Sequence, residues 1–509
     1  MELQRHPVVV TCLLSCFLAL GISVPDPRKR EELIKLEASM RIGGHLRLSP
    51  EEQQVDAQLR KLMQEEMART DFPPALHFFK ARPLIRRSPI YSLLQKMPKG
   101  AALHVHDFAM VDVEWLVRNV TYRSHCYMCF TDNHSVRFSF SSGLPKPRLN
   151  CSAWTLLEQL RAQTVNVTDL DNGIMSKLTL WTEEDPEIVY PSQDVVWERF
   201  EQAFLATFGL VTYAPVFKDY VREGLSQFYR DNVMYVEVRA LLPETYELDG
   251  STNSKEWTVK TFQETTRQFV EEHPDFFGAR VIATFHRGAN VSLVTLAVQE
   301  AMKLQAEFPE TMAGFDLVGR EDTGSPLWLF REALSLPAAQ GFNLPYFFHA
   351  GETDHEGTEV DQNMLDALLF NTSRIGHGFA LLRHPLAKKL SRMNGVAIEV
   401  CPISNQVLKL VKDLRNHPAA VLMSEGHPLV ISSDDPSMFG ASGLSDDFYE
   451  AFVGFGGLGN NLGSLKELAM NSIRYSSLPP NLQEKCMSMW QTKWNSFVTE
   501  NLQGTQAEL

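Results

Sequence analysis

Three short segments of the chain end an apolar run in histidine: "AALHVHD" with His104 and His106, "PYFFHAGET" with His349, and "RIGHG" with His377. A fourth, "HPLVISSDDPSMFG", ends its run in Asp434 and Asp435. Successive side chains on a β-strand alternate faces, so His104 and His106 project the same way and can share one ion. Singly, each residue has a structural explanation as a packed histidine or a capping aspartate. Together, histidine and aspartate at the ends of four separate strands suit a catalytic zinc that keeps one position open for water. Zinc lowers the pKa of its bound water to about 7, which supplies hydroxide at neutral pH.

Such a centre needs strands that converge on one mouth. From residue 101 onward, short apolar or β-branched runs recur at 101–106, 233–239, 280–284, 313–317, 345–350, 373–376, 396–400 and 429–432, most of them separated by helical stretches. This alternation predicts an α/β fold of the (β/α)8 barrel type, spanning 96–509, with its active site at the C-terminal ends of the strands. The interval 107–232 is far longer than the others and includes the loop-like "SSGLPKPRLNCS" and the amphipathic "VVWERFEQAFLATF". Residues 122–182 are therefore predicted to form an inserted, disulfide-stapled subdomain. Ahead of the barrel, residues 26–95 are predicted to form a helical arm. One helix starts at Asp26-Pro27 and runs to Gly43-Gly44; a second starts at Ser49-Pro50, with Glu52 completing a capping box and Val55, Leu59, Leu62, Met63 and Met67 along one stripe. The arm packs either on a partner subunit or back on its own domain.

The composition, 44% hydrophobic and 22% charged over 509 residues, is that of a globular protein. A formal net charge of -14 with no basic tract argues against a nucleic-acid partner. Residues 1–25 have the layout of a cleaved signal peptide: Arg5, an apolar stretch from Val8 to Ile22, then small residues and Pro25. No later segment is long and apolar enough to span a bilayer, so a secreted protein is expected. Of the seven cysteines, Cys126, Cys129, Cys151, Cys401 and Cys486 lie beyond the signal. Either Cys126 or Cys129 is expected to pair with Cys151, with Cys129–Cys151 as the candidate bond. Six N-x-[ST] sequons, at Asn119, Asn133, Asn150, Asn166, Asn290 and Asn371, mark candidate glycosylation sites, four of them in or beside the insert.

"MPKGAALHVHD", "HAGE", "RIGHG" and "SSDDP", in this order and at these spacings, resemble the adenosine deaminase family of zinc hydrolases. The signal, the helical arm and the large insert after the first strand resemble its extracellular, growth-factor-related branch. The resemblance implies one Zn2+ held by His104, His106, His349 and Asp434. It implies Glu352 as proton donor to N1 of the purine, His377 as the residue that orients and deprotonates the attacking water, Asp435 as a hydrogen-bond partner of the purine, and Gly319 as a backbone donor to the ring. Trp197, His286 and Asp107 are further candidates for substrate contact. Asp107 departs from the family's "HxHLDG" pattern, because it follows His106 directly and Phe108 stands in the usual place. By strand alternation Asp107 leaves the metal-facing side unless the chain turns there. The activity implied is hydrolysis of adenosine and 2'-deoxyadenosine to inosine and 2'-deoxyinosine, in a homodimer with a possible cell-surface receptor or proteoglycan partner. Competing readings are a deaminase of another aminopurine or of a nucleotide, and a signalling protein whose main role is receptor binding.

Overall fold

Parallel strands follow one another around a barrel in chain order. In the computed structural model, which describes residues 25–507, β1 (Gly100–His106), β2 (Val233–Ala240), β3 (Ala279–His286) and β4 (Met312–Val318) pair in that sequence. A second set, β5 (His349–Ala350), β6 (Arg374–His377), β7 (Ala397–Val400) and β8 (Leu429–Ile431), does the same. Parallel bridges from Phe315 to Tyr346 and from Val105 to Asp434 join the two sets and close the ring. The second seam is held where His106 N–H donates to the Asp434 carbonyl at 3.0 Å and Asp434 N–H donates to the His104 carbonyl at 3.1 Å. The two hydrogen bonds that close this seam thus tie three candidate site residues together. The strands read as continuous apolar runs because helices cover one face and the barrel interior the other; every residue of β2, for example, is buried.

Two expected boundaries shift for local reasons. Regular pairing in the run 345–350 is confined to His349–Ala350, because Pro345 has no N–H to give and meets β4 only through its carbonyl, which accepts from Phe315 N. His286, expected just past the third strand, is the last residue of β3 and pairs with Val318.

The two N-terminal helices have different fates. The helix Pro50–Met67 carries the expected capping box, and Val55, Leu59 and Met63 are buried. The Glu52 carboxylate accepts from Trp494 Nε1 at 2.7 Å and from Lys466 Nζ at 2.6 Å, so this helix packs back on its own domain. Met67, expected on the same stripe, is exposed. The helix Pro27–Met40 buries none of its residues and leaves Leu33, Leu36 and Met40 exposed. The expected signal peptide, apart from Pro25, lies outside the described residues.

Within the insert, strands Cys126–Phe130, Val136–Phe140 and Thr155–Leu156 form a small antiparallel sheet, followed by helices Leu157–Gln163 and Val167–Met175. Cys129 pairs with Cys151, while Cys126, Cys401 and Cys486 are free and buried. The sheet lies against the helix Gln193–Val211. A Cβ at Gly209 would come within 2.0 Å of the Phe138 carbonyl, so only glycine allows this approach. The end of the predicted 122–182 segment belongs with the barrel mouth, since Leu180 N–H donates to the Met438 carbonyl at 2.8 Å. All six sequon asparagines are exposed. Among the described residues no helix is long and apolar enough to cross a membrane.

Burial drives the imidazole of His417 down to about 3 and that of His427 down to about 4, whereas a histidine in an unfolded chain titrates near ~6.5. Between those values the unfolded chain binds protons that the folded chain refuses, so these groups contribute stability above pH ~6.5 that is lost as the pH falls. The urea midpoint is expected to drop steadily from pH 7 to pH 4.5, with a shallower slope in His427→Gln; an unchanged slope in that variant would rule His427 out.

Candidate active site

The mouth of the barrel gathers the predicted residues at the strand ends. Ligand-capable atoms of His104, His349, His377 and Asp434 all lie within 4.8 Å of one another. Asp434 Oδ1 stands 3.2 Å from His104 Nε2 and 3.1 Å from His106 Nε2, which brings His106 to the same point. His104 Nε2, His377 Nε2 and Asp434 Oδ1 are buried without hydrogen-bond partners. Several buried polar atoms left without partners around one centre are costly unless an ion or a bound molecule occupies it. Imidazole nitrogens with a carboxylate are a donor set that a divalent transition metal accepts, so the residues fit the implied metal.

The backbone is bent to make this set. His377 has φ 61° and Asp434 has φ 57°, left-handed values that cost a non-glycine residue on the order of 1–3 kcal/mol and tend to persist at functional sites. Gly376, just before His377, is needed for space: a Cβ there would stand 3.1 Å from His104 Cε1 and 3.2 Å from His349 Cα.

A layer of buried charge orients the histidines. His104 Nδ1 lies 2.8 Å from Glu399 Oε2, and His349 Nδ1 lies 2.6 Å from Asp316 Oδ2. Each carboxylate takes the Nδ1 hydrogen and turns the Nε2 lone pair toward the centre. Arg239 spans the two carboxylates, donating from Nε to Asp316 at 2.9 Å and from a terminal nitrogen to Glu399 at 2.6 Å. Arg374 donates to Glu399 at 2.6 Å and also to Glu237. Burial works to raise the Glu399 carboxyl, but the Arg239 and Arg374 guanidiniums hold it well below the usual range.

Proton handlers sit beside this centre. Glu352 Oε1 is 3.6 Å from His377 Nε2. Burial, reinforced by the charges of Asp434 and Glu321, lifts the Glu352 carboxyl well above its ordinary range, so it stays protonated and can donate. Glu321 also fixes the turn that carries it, accepting from Gly351 N at 3.0 Å and Glu352 N at 2.6 Å. Asp435 is likewise raised by burial and by neighbouring Asp434. Burial holds the His349 imidazole down to about 3, and burial also holds His377 well below its ordinary value.

Over the centre opens a cavity of about 370 Å³, lined by His106, Asp107, Trp197, Phe200, Glu201, Phe204, His286, Gly319, Glu352 and Asp435, among others. That volume falls in the range of small-molecule sites, ~300–1,000 Å³. Every predicted catalytic, metal and substrate residue is therefore at one site. Asp107 remains there because the strand stops at His106 and the chain turns through 107–109, with the carboxylate accepting from Phe108 N and from Leu241 N, both at 3.0 Å. Gly319, at φ 99°, packs where a Cβ would meet His286 Nε2 at 2.5 Å.

Sequence reasoning missed Glu237, Arg239, Asp316, Arg374 and Glu399. Their signal was present: each is a charge inside an apolar strand ("YVEVRA", "GFDLV", "RIGH", "AIEV") that is buried on both faces. A charge there must be paired.

The "Adenosine deaminase" family model matches residues 177–492, and the "Adenosine/AMP deaminase N-terminal" model matches residues 26–94. Adenosine deaminase 2-A of Danio rerio is 63% identical over 478 residues, covering 94% of this chain and 95% of its own. Adenosine deaminase 2 of Homo sapiens is 50% identical over 502 residues, covering 98% of each. Among solved structures, an N6-methyl-AMP deaminase from Arabidopsis thaliana shares the fold at TM-score 0.54 and 18% identity, over 79% of this chain and 98% of its own. An amidohydrolase from Burkholderia ambifaria with bound Zn does so at TM-score 0.52 and 18% identity, over 81% and 94%. With its barrel, its histidine and aspartate cluster and its full-length relatives in agreement, the chain belongs to the adenosine deaminase family and is a hydrolytic deaminase.

Proposed function

We propose that the protein is a secreted, zinc-dependent adenosine deaminase that hydrolyses adenosine and 2'-deoxyadenosine to inosine and 2'-deoxyinosine, releasing ammonia. The observation that carries this reading is the set of partnerless, buried polar atoms on His104, His377 and Asp434 beside Glu352, whose carboxyl is pushed up by burial, at the floor of a nucleoside-sized cavity. Zinc as the metal is supported by this nitrogen and carboxylate donor set and by the fold neighbour solved with Zn. Bound by His104, His106, His349 and Asp434, it would supply a water activated for attack on C6 of the purine. Glu352 gives its proton to N1, which makes C6 open to the incoming oxygen, and the amine leaves as ammonia with the hydrogen that the new C6 hydroxyl gives up on becoming the carbonyl of inosine. His377 holds the attacking water, Asp435 and the Gly319 amide position the purine, and Trp197, His286 and Asp107 line the rest of the cavity.

Adenosine as substrate is supported by the relatives named adenosine deaminase 2. Adenosine, 2'-deoxyadenosine and AMP should be assayed side by side. We expect kcat/KM for the two nucleosides to exceed that for AMP by at least about 10²-fold, since the cavity lining includes no lysine or arginine among the described residues; a preference for AMP would reassign the substrate.

Secretion and glycosylation are supported by the apolar stretch 8–22, six exposed sequons and the Cys129–Cys151 bond. A protein that stays inside the expressing cell, unglycosylated, would remove this part of the reading. A homodimer through the first helix is supported by Leu33, Leu36 and Met40, exposed at helical spacing on a helix with no buried residue. Sedimentation of a variant lacking residues 26–40 should show monomer, and an unchanged dimer would reject this interface. Receptor or proteoglycan binding by the insert is supported by the loop with Leu144 and Leu149 exposed at 74% and 90% beside Lys146 and Arg148. Replacing residues 143–149 by Gly and Ser should weaken cell binding and leave deamination intact; unchanged cell binding would sink that role.

A further inference from the structure

We propose that Asn405 and His417 are positioning residues that keep the ring hydrogen of His377 on Nε2, so that His377 faces the reacting centre as a hydrogen-bond donor. This rests on the adenosine deaminase reading above and adds to it two residues and a direction. The direction follows from one group that cannot turn over. Ala419 N–H donates to His417 Nδ1 at 3.0 Å, so that nitrogen carries a lone pair and the hydrogen of His417 is on Nε2. His417 Nε2 lies 3.0 Å from Asn405 Oδ1, an acceptor. The amide nitrogen of Asn405 then stands 3.0 Å from His377 Nδ1. An amide NH2 only donates, so His377 Nδ1 must accept, and a neutral His377 carries its hydrogen on Nε2.

That atom is aimed at the chemistry. His377 Nε2 is buried without a hydrogen-bond partner, 3.6 Å from Glu352 Oε1 and 3.8 Å from Asp434 Oδ2. His104 and His349 are set the opposite way, each giving its Nδ1 hydrogen to a carboxylate. The two settings separate the roles: a carboxylate behind the ring turns a lone pair to the centre, and an amide behind it turns a hydrogen there. The relay is fixed in place, with Asn405 and His417 buried and the His417 ring stacked on Phe455 at 4.6 Å and meeting Phe379 edge-on at 5.2 Å. Reversing His377 would require Asn405 to turn its NH2 toward the Nε2–H of His417, two donors face to face between buried side chains. In this form His377 orients the attacking oxygen by donating to it; with zinc at the centre the water would ionise near pH ~7 and lose its proton to solvent, which replaces the deprotonating role that the family resemblance implies.

Asn405→Asp tests the relay with little change of shape. One carboxylate oxygen still accepts from His417 Nε2–H, while the other accepts from His377 Nδ1 and draws the hydrogen there. The expected result is a fall of about 10²-fold in kcat for adenosine, the size seen when one preorganised donor is lost, with KM and bound zinc within about twofold of wild type. Full kcat in Asn405→Asp would overturn the proposal. A second pair guards against a variant that fails to fold: His417→Gln, which can still donate to Asn405, should restore most of what His417→Phe loses, and equal losses in both would count against the relay. The readout independent of turnover is the ring-nitrogen spectrum of 15N-histidine-labelled wild-type protein. His377 protonated on Nε2 supports the inference and His377 protonated on Nδ1 overturns it. A wild-type protein that leaves adenosine unchanged would remove the functional reading, and the tautomer would still decide this one.

Discussion

Glu352→Gln is expected to lower kcat for adenosine by about 10²–10⁴-fold, the usual worth of a positioned general acid, with bound metal and thermal midpoint close to wild type. Glutamine has nearly the same shape and still offers N–H groups to the ring, but it cannot release a proton to N1. The loss should be large because the wild-type carboxyl is prepared for the task. Burial and the charges of Asp434 and Glu321 keep it protonated, and Glu321 accepts both backbone amides of the turn that carries it. Stability should hardly change, since Glu352 makes no ion pair with a lysine or arginine among the described residues. Steady-state kinetics beside metal analysis checks this. A kcat within threefold of wild type, at full metal content, would show that the proton comes from elsewhere.

Replacing Arg239 should have the largest effect on stability. Arg239→Met keeps the length of the side chain and removes the charge, leaving Asp316 without its guanidinium and Glu399 with Arg374 alone. All of these groups are buried. Breaking a buried ion pair from one side costs about 3–5 kcal/mol, because the remaining charge loses its partner without regaining water. The same change should weaken metal affinity by about 10–100-fold, since Asp316 and Glu399 set the rings of His349 and His104. Urea unfolding of metal-free protein measures the first effect and chelator competition the second. If unfolding shifts by less than about 1 kcal/mol, Asp316 or Glu399 must be held neutral in the wild type, contrary to the ion-pair geometry.

The barrel was legible because parallel strands buried on both faces have nowhere to put polar residues except their ends. That is why 101–106 and 233–239 match β1 and β2 to within a residue or two, and why His104, His349 and Asp434 stood out. What failed to show were effects that single residues exert on the backbone. Pro345 withholds a hydrogen bond and shortens β5, and the turn after His106 carries Asp107 to the side that strict alternation denied it. Arg239, Asp316 and Glu399 were visible as charges inside apolar runs, yet their meaning depends on neighbours 77 to 160 residues away. The Asn405–His417 relay carried no such signal, because it depends on how two rings and an amide face one another. Which helix of the N-terminal arm returns to the barrel was decided by Trp494 and Lys466, more than 400 residues from Glu52.

On the function proposed above, a zinc ion held by His104, His106, His349 and Asp434 would make this chain an adenosine deaminase. The most direct measurement follows the ultraviolet absorbance of adenosine with the purified protein, then after removal of metal by a chelator, and then after addition of Zn2+. Conversion to inosine, abolished by the chelator and restored by zinc, is the predicted result. Adenosine left unchanged by folded protein with one zinc bound would contradict it, and the search for the substrate would move to other aminopurines.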